Sequence, residues 1–236
     1  MPVPASPASS SIIISSEQLS RREVEELLGA GGAPLAFEAC SFDGADLEQL
    51  DLRGTEFRRC SFSGTSFVRA ELSGTRWHRC RGAAADFELA DLTDASFDGC
   101  DLSNSNWRRA RLPGAVFSEA KLTGARFTEA QTLGLVLRES LVVSADLRGL
   151  SFRKQTIVGL KANDADLSGC DFTDSVLVDC DLAGASLKNA KFARADLRRA
   201  RLGAIQVGDL LLHFKGSIMS VQQAADLVSA LGVQVV

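Results

Sequence analysis

Across 236 residues, 26 Lys and Arg stand against 30 Asp and Glu, for a formal charge of −4. So mild a negative charge argues against a basic nucleic-acid binder, and no apolar run is long enough to span a membrane. Thirteen Phe beside no Tyr fit an interior of stacked Phe and Leu, and the length fits one elongated domain with short terminal additions.

Residues 1–15, rich in Pro and Ser, read as a mobile leader. Met1-Pro2-Val3-Pro4-Ala5-Ser6-Pro7 lacks the positive start and apolar run of a signal peptide, and Ile12-Ile13-Ile14 is too short to supply one, so the expected compartment is the cytoplasm. A capping helix is predicted within 16–34. Ser20-Arg21-Arg22-Glu23 forms a capping box, Val24, Leu27 and Leu28 share one face, and Gly29 with Gly31-Gly32 stops the helix.

From Phe37 to Leu202 the chain then repeats every five residues, with no insertion or deletion. Of the 34 positions ending in 2 or 7, 31 hold Phe, Leu, Trp, Ile or Val; Gly82, Thr132 and Ala162 are the exceptions. Two residues before each, 28 of the 33 sites from Cys40 to Ala200 hold Ala, Cys, Ser or Thr. A helix repeats at 3.6 and a strand at 2; five suits neither and marks a solenoid. The large residue fills a narrow axis and its small neighbour sits beside it.

Units such as Ala45-Asp46-Leu47-Glu48-Gln49 and Ala90-Asp91-Leu92-Thr93-Asp94 resemble the motif of the pentapeptide-repeat proteins, in which a small residue and often Asp or Asn precede Leu or Phe. The resemblance implies an all-β fold, a right-handed quadrilateral β-helix with about twenty residues per coil, here over 35–212. The helix at 16–34 then covers the open strand edges of the first coil. Gly or Asn follows the large residue by two on two of the four sides (Gly44, Gly64, Asn104, Gly124, Gly184; and Gly54, Gly74, Gly114, Gly134). Arg59, Arg79, Arg69 and Arg109 hold that place on the others. Two sides with tight type II turns and two with looser ones are expected.

All six cysteines, Cys40, Cys60, Cys80, Cys100, Cys170 and Cys180, fall at the small position, and the first four stack at intervals of twenty. A metal or disulfide ladder is one reading. Without a close Cys pair or a matching His, the other is favoured: reduced thiols serving as a slightly larger Ala. The motif decays over 131–164, where Leu135, Leu150, Leu160 and Gln155 replace the small residue and Thr132 and Ala162 the large one. That segment carries about +2, whereas 37–130 carries about −3. It is an irregular stretch of coil or a bend and binding shoulder.

Past Leu202 the repeat fades through Val207 and Leu212, leaving 213–236 as a helix-and-strand cap. Ser220-Val221-Gln222-Gln223 is a second capping box, Ala224, Leu227, Val228 and Leu231 form an apolar face ended by Gly232, and Val233-Gln234-Val235-Val236 reads as a short strand. The cap either seals the last coil or meets a second copy about a two-fold axis; Leu227, Val228, Leu231, Val233 and Val235 are the candidate dimer interface. From Lys215 to Val233 the tail resembles the cap of the branch of the family that protects DNA gyrase and topoisomerase IV from fluoroquinolones or peptide poisons such as albicidin. That resemblance implies a head-to-head dimer with the size, shape and negative charge of duplex DNA.

The chain departs from that branch in having no insertion to form a projecting loop and in a mixed surface. Asp46, Asp86, Asp146 and Asp166 share one side as a candidate partner-facing acidic column, while Arg58, Arg59, Arg79, Arg108, Arg109, Arg198 and Arg199 lie elsewhere. Asp is also the motif's favoured residue there and can hydrogen-bond a turn. His78 and His213 are the only histidines, and no phosphate loop, zinc spacing or nucleophile elbow occurs. No catalytic, cofactor-binding or metal-binding residue is expected. The expected function is a non-enzymatic, dimeric interaction rod that binds a type II topoisomerase without itself binding nucleic acid or membrane. The alternative is a scaffold or adaptor for another protein, such as a secretion-system accessory or effector.

Overall fold

A five-residue side returns upon itself every fourth unit. In the computed structural model, which describes residues 12–30, 35–203, 205, 207–230 and 232–235, Phe37, Phe57, Trp77, Phe97, Phe117 and Leu137 lie opposite one another in register. They sit on successive parallel strands: β2 (Leu35–Glu38), β3 (Glu56–Arg58), β4 (Arg76–His78), β5 (Ser96–Asp98), β6 (Val116–Ser118) and β7 (Val136–Arg138). Further along the same side come β8 (Thr156–Val158), β9 (Val176–Asp181) and β10 (Asp196–Arg201). We call this side one; sides two, three and four carry Phe62, Phe67 and Leu72 and their equivalents at steps of twenty. The result is a four-sided β-helix of about nine coils. Phe57, Trp77 and Phe97 are buried and stacked, as are the other inward positions except Thr132 and Leu187, which are half-buried. Rings pile along the axis, Phe87 on Trp107 at 4.1 Å and 7°.

The turns correct the expectation of two tight and two loose sides. Positive φ occurs at the corners of all four, at Gln49 (+60°), Gly54 (+69°), Arg59 (+54°) and Gly64 (+66°). Three sides close with a backbone bond, for example Ala45 N–H to Phe42 O at 2.9 Å, Ala70 N–H to Phe67 O at 2.9 Å and Thr55 N–H to Leu52 O at 3.1 Å. Side one does not, because its residues stay extended in the ladder. There the carbonyl left over from the turn is met by the small residue of the next coil. Cys60, Cys80, Cys100 and Cys180 donate Sγ–H to Phe37 O, Phe57 O, Trp77 O and Ile157 O at 3.3–3.5 Å, and Ser140 Oγ does the same for Phe117 O at 3.4 Å. The cysteines are free and buried, so they replace more than alanine: each adds a weak donor to a carbonyl of the ladder. On side three, burial pushes the Cys170 thiol up to about 12, which keeps it protonated and unreactive.

Ahead of the first full coil lies an element outside the sequence reading. Ile12–Ser15, placed in the mobile leader, is strand β1, paired with β2 so that Ile14 faces Phe37. Ile14, Leu19 and Val24 are buried at intervals of five, but they precede their partners by 23 residues because helix α1 (Arg21–Gly29) is wound into the partial coil. Glu23 accepts from the Ser20 amide and hydroxyl at 2.7 and 2.6 Å. Arg21 ties the helix down to Asp46 Oδ1 at 3.2 Å and Glu48 O at 3.0 Å. The leader's residues 1–11 and the Gly31-Gly32 stop lie outside the described residues.

Among the described residues the ladder of side one breaks once. Side one divides into a sheet of seven strands ending at β7 and one of three beginning at β8. The break extends over side four, between 129–136 and 148–156. By register the amides of Glu129, Thr132 and Gly134 face the carbonyls of Arg148, Ser151 and Arg153, and the amides of Ser151 and Thr156 face Ala130 O and Leu135 O. Among the described residues none of these five bonds forms. On either flank the ladder is intact, with Phe127 N–H to Asp146 O at 2.9 Å and Glu139 N–H to Val158 O at 2.8 Å. The cause is in the sequence. Leu135 and Gln155 stack in a column that from Thr55 to Ala195 is otherwise held by Ala, Thr or Ser, Leu150 overfills the preceding corner, and Thr132 underfills the axis. A single large residue does not open the ladder, since Leu50 O and Leu160 O still accept from Glu71 N–H and Asp181 N–H at 2.9 Å; the break goes with two large side chains, Leu135 and Gln155, stacked one on the other. The five-residue register survives, with Leu137, Val142, Leu147, Phe152 and Ile157 all buried.

Candidate interaction surfaces

The four aspartates of the predicted acidic column share side three, in the ladder 46, 66, 86, 106, 126, 146, 166, 186. Each first serves its own turn. Asp46, Asp86, Asp146 and Asp166 accept from the amide two residues on at 2.9, 2.9, 3.2 and 3.0 Å. Arg126 interrupts the column and other groups engage its members. Asp46 meets Arg21, and Asn106 donates to Asp86 at 2.9 Å. Arg148 grips Asp146 through two bonds of 2.8 and 2.6 Å and approaches Asp166 at 3.6 Å. That grip holds the Asp146 carboxyl below the usual carboxylate range.

Other sides are tied alike, coil to coil: Arg111 to Asp91 at 3.0 Å, Lys121 to Asp101 at 3.1 Å, Arg194 to Asp174 at 2.6 Å. These vertical pairs went unread in the sequence, although opposite charges twenty residues apart were the available signal. His78 faces Asp98 at 2.7 Å on the exposed surface.

At the far end β10 stops at Arg201, and the fading register at Val207 and Leu212 belongs to helix α2 (Val207–His213), so Leu212 is exposed rather than axial. Phe214 then caps the aromatic column at 4.6 Å from Phe192. Helix α3 (Val221–Ser229) begins at the predicted capping box, Ser220 N–H to Gln223 Oε1 at 2.7 Å and Gln223 N–H to Ser220 Oγ at 3.2 Å. Gln223 has a second role that sequence reading missed. Its Nε2 donates to Leu197 O at 2.7 Å and Ala200 O at 2.6 Å, carbonyls that a further coil would otherwise pair.

Of the candidate dimer residues, Leu227 packs on its own last coil, while Val228, Val233 and Val235 are exposed, alongside Leu211 (81%), Leu212 (75%) and Val221 (89%). Leu231 lies outside the described residues. Val233–Val235 form no strand; Val236 is not described.

A profile described as a pentapeptide repeat region matches residues 35–107, and one described as pentapeptide repeats (8 copies) matches 90–129 and 165–203. The chain belongs to the pentapeptide-repeat family. The second profile leaves out 130–164, the span that contains the broken ladder. No curated protein matches the sequence significantly. Among solved structures, this pentapeptide-repeat protein is similar to full-length QnrB1, a plasmid-mediated fluoroquinolone resistance protein, at 21% identity over 94% of this chain and 98% of that one, with a TM-score of 0.65. A trypsin-treated variant of QnrB1 matches at 20% identity over 96% and 100%, TM-score 0.57. At such identity the likeness is one of fold. No described helix is long and apolar enough to cross a membrane.

Proposed function

We propose that this protein is a non-enzymatic, rod-shaped protector or modulator of DNA gyrase or topoisomerase IV that confers resistance to poisons of those enzymes. Its shape carries the reading. Nine coils at about 4.8 Å give a stack of about 40–45 Å, with an interior packed solid and the working chemistry confined to its sides. Similarity of fold to a protein described as conferring fluoroquinolone resistance supports it. In a supercoiling assay with purified gyrase and a fluoroquinolone or albicidin-type poison, micromolar protein is expected to inhibit or rescue activity, and less so as salt is added. No effect on either would remove the topoisomerase as partner.

The exposed apolar residues on α2, α3 and the tail support a head-to-head homodimer about twice as long as one rod. Leu212→Asp with Val228→Asp changes exposed side chains only, and is expected to halve the mass measured by light scattering. An unchanged mass would mean that the lid serves its own coil alone.

One observation favours the second reading, a scaffold or adaptor such as a secretion-system accessory or effector. Ion pairs engage acids on every side of the coil, which works against the continuous negative field that competition with DNA draws on.

A further inference from the structure

Three kinds of contact lapse together at the break in the ladder. Five main-chain bonds are missing between 129–136 and 148–156 among the described residues. The aromatic column is interrupted at the same level. Ring contacts run unbroken from Phe37 to Phe127. They resume only where Phe152, Phe172, Phe192 and Phe214 stack in turn, and Leu137, Val142 and Leu147 fill the axis between. Among the described residues no ion pair joins 129–139 to 148–159. Glu129 is taken by Arg109 of the coil before, at 2.6 Å, and Arg153 reaches on to Asp171 and Asp174 at 3.8 Å.

What still joins the two coils is half of the wall. Along sides two and three the ladder is kept, with Leu122 N–H to Leu141 O at 2.7 Å, Leu141 N–H to Ala120 O at 2.8 Å and Asp146 N–H to Ala125 O at 2.9 Å. The coils therefore stay one strand spacing apart, but with fewer bonds between them than between their neighbours. Because a coil touches only the coils beside it, a rod melts as one cooperative unit only if every such interface is strong.

We propose that this interface is a joint, and that the rod consists of two units which open separately, one up to Ser140 and the other from Leu141 onward. The second unit opens at the lower free energy. Both Trp and nine of the 13 Phe lie in the first, and stacked rings add to the stability that buried area supplies. Helices α2 and α3 and the exposed apolar end belong to the second. The joint therefore lets that end loosen and re-form while the first unit stays folded. The proposal needs neither gyrase nor a dimer, and stands whichever partner the rod takes.

The placement of Trp77 and Trp107 supplies the test. Their fluorescence follows the first unit alone, whereas circular dichroism follows the whole rod. In guanidinium the full chain is expected to lose its dichroism in two steps, of which only the second coincides with the change in fluorescence. Leu177→Ala, at a buried position of the second unit, should move the first step to lower denaturant and leave the fluorescence midpoint in place. Leu135→Ala with Gln155→Ala restores small residues to the column, and should draw the two signals together.

Hydrogen exchange in denaturant below the first step provides a second readout. The ladder amides of Asp166 and Phe172 should exchange far faster than those of Phe62 and Phe87, although all four are bonded at 2.6–2.9 Å. One step seen at the same denaturant concentration by both signals, or equal exchange at these four amides, would show that the rod melts as a whole and would overturn the proposal. So would a fluorescence midpoint that falls with the dichroism in Leu177→Ala, or two steps that keep their spacing once Leu135 and Gln155 are replaced.

Discussion

Trp107→Ala is expected to cost about 3–5 kcal/mol of stability. The indole is fully buried, stacked between Phe87 at 4.1 Å and Phe127 at 5.6 Å, with Phe97 and Phe117 edge-on at 5.5 and 5.3 Å. Its Nε1–H donates to Ser105 Oγ at 2.6 Å. A round core can partly collapse around a lost side chain. Here the bore of the coil is fixed by the backbone ladder above and below, so the void persists. Trp107→Phe should cost much less, because the ring stack is kept and the Ser105 hydroxyl still donates to Leu102 O at 2.6 Å. Guanidinium unfolding followed by circular dichroism checks both. Since a coil touches only its neighbours, Trp107→Ala should also broaden the transition, as the rod is weakened at its middle. A cost below about 1 kcal/mol for the alanine variant would mean that the coil can narrow, contrary to this account.

The same one-dimensional logic explains what could be read from the sequence. Phe57, Trp77 and Phe97 fall in line because no residue is inserted between them, and a fixed side length leaves one way to stack them. The decay at Thr132, Leu135 and Gln155 pointed to the right stretch, though only coordinates show which bonds open. The partial first coil was hidden because Ile14, Leu19 and Val24 keep the spacing of five but stand three residues out of phase, the length that α1 takes up. Val207 and Leu212 misled in the opposite way, being in phase yet helical. Glycine counts understated the turns, since left-handed φ at Arg59 or Arg79 costs only about 1–2 kcal/mol, which a ladder bonded on both edges can sustain. The aspartates of side three were legible as a column, but their engagement by Arg21, Asn106 and Arg148 depends on contacts between coils.

Gln223→Leu should cost about 2–4 kcal/mol at the other end of the rod. The substitution keeps the side chain's bulk and removes its polar head. Leu197 O and Ala200 O lose their donors, and the Ser220 amide loses its acceptor at the start of α3. Melting should then begin in the last coil, visible as fast exchange at amides beyond Asp196 while those near Trp77 stay protected. Gln223→Glu separates the two roles. Its carboxylate can still accept from Ser220, but it faces two carbonyl oxygens with nothing to donate, so its folded pKa lies above the unfolded value of about 4.3. The group is therefore better tolerated below that unfolded pKa, where its proton can serve one carbonyl, and the benefit is lost as pH rises through the folded pKa. The Tm of Gln223→Glu relative to the parent should climb on acidification, whereas that of Gln223→Leu should not. A flat difference for both would show that Gln223 acts through packing alone. The lid would then rest on Leu227 and Phe214, and the open edge beneath it would be covered without being bonded.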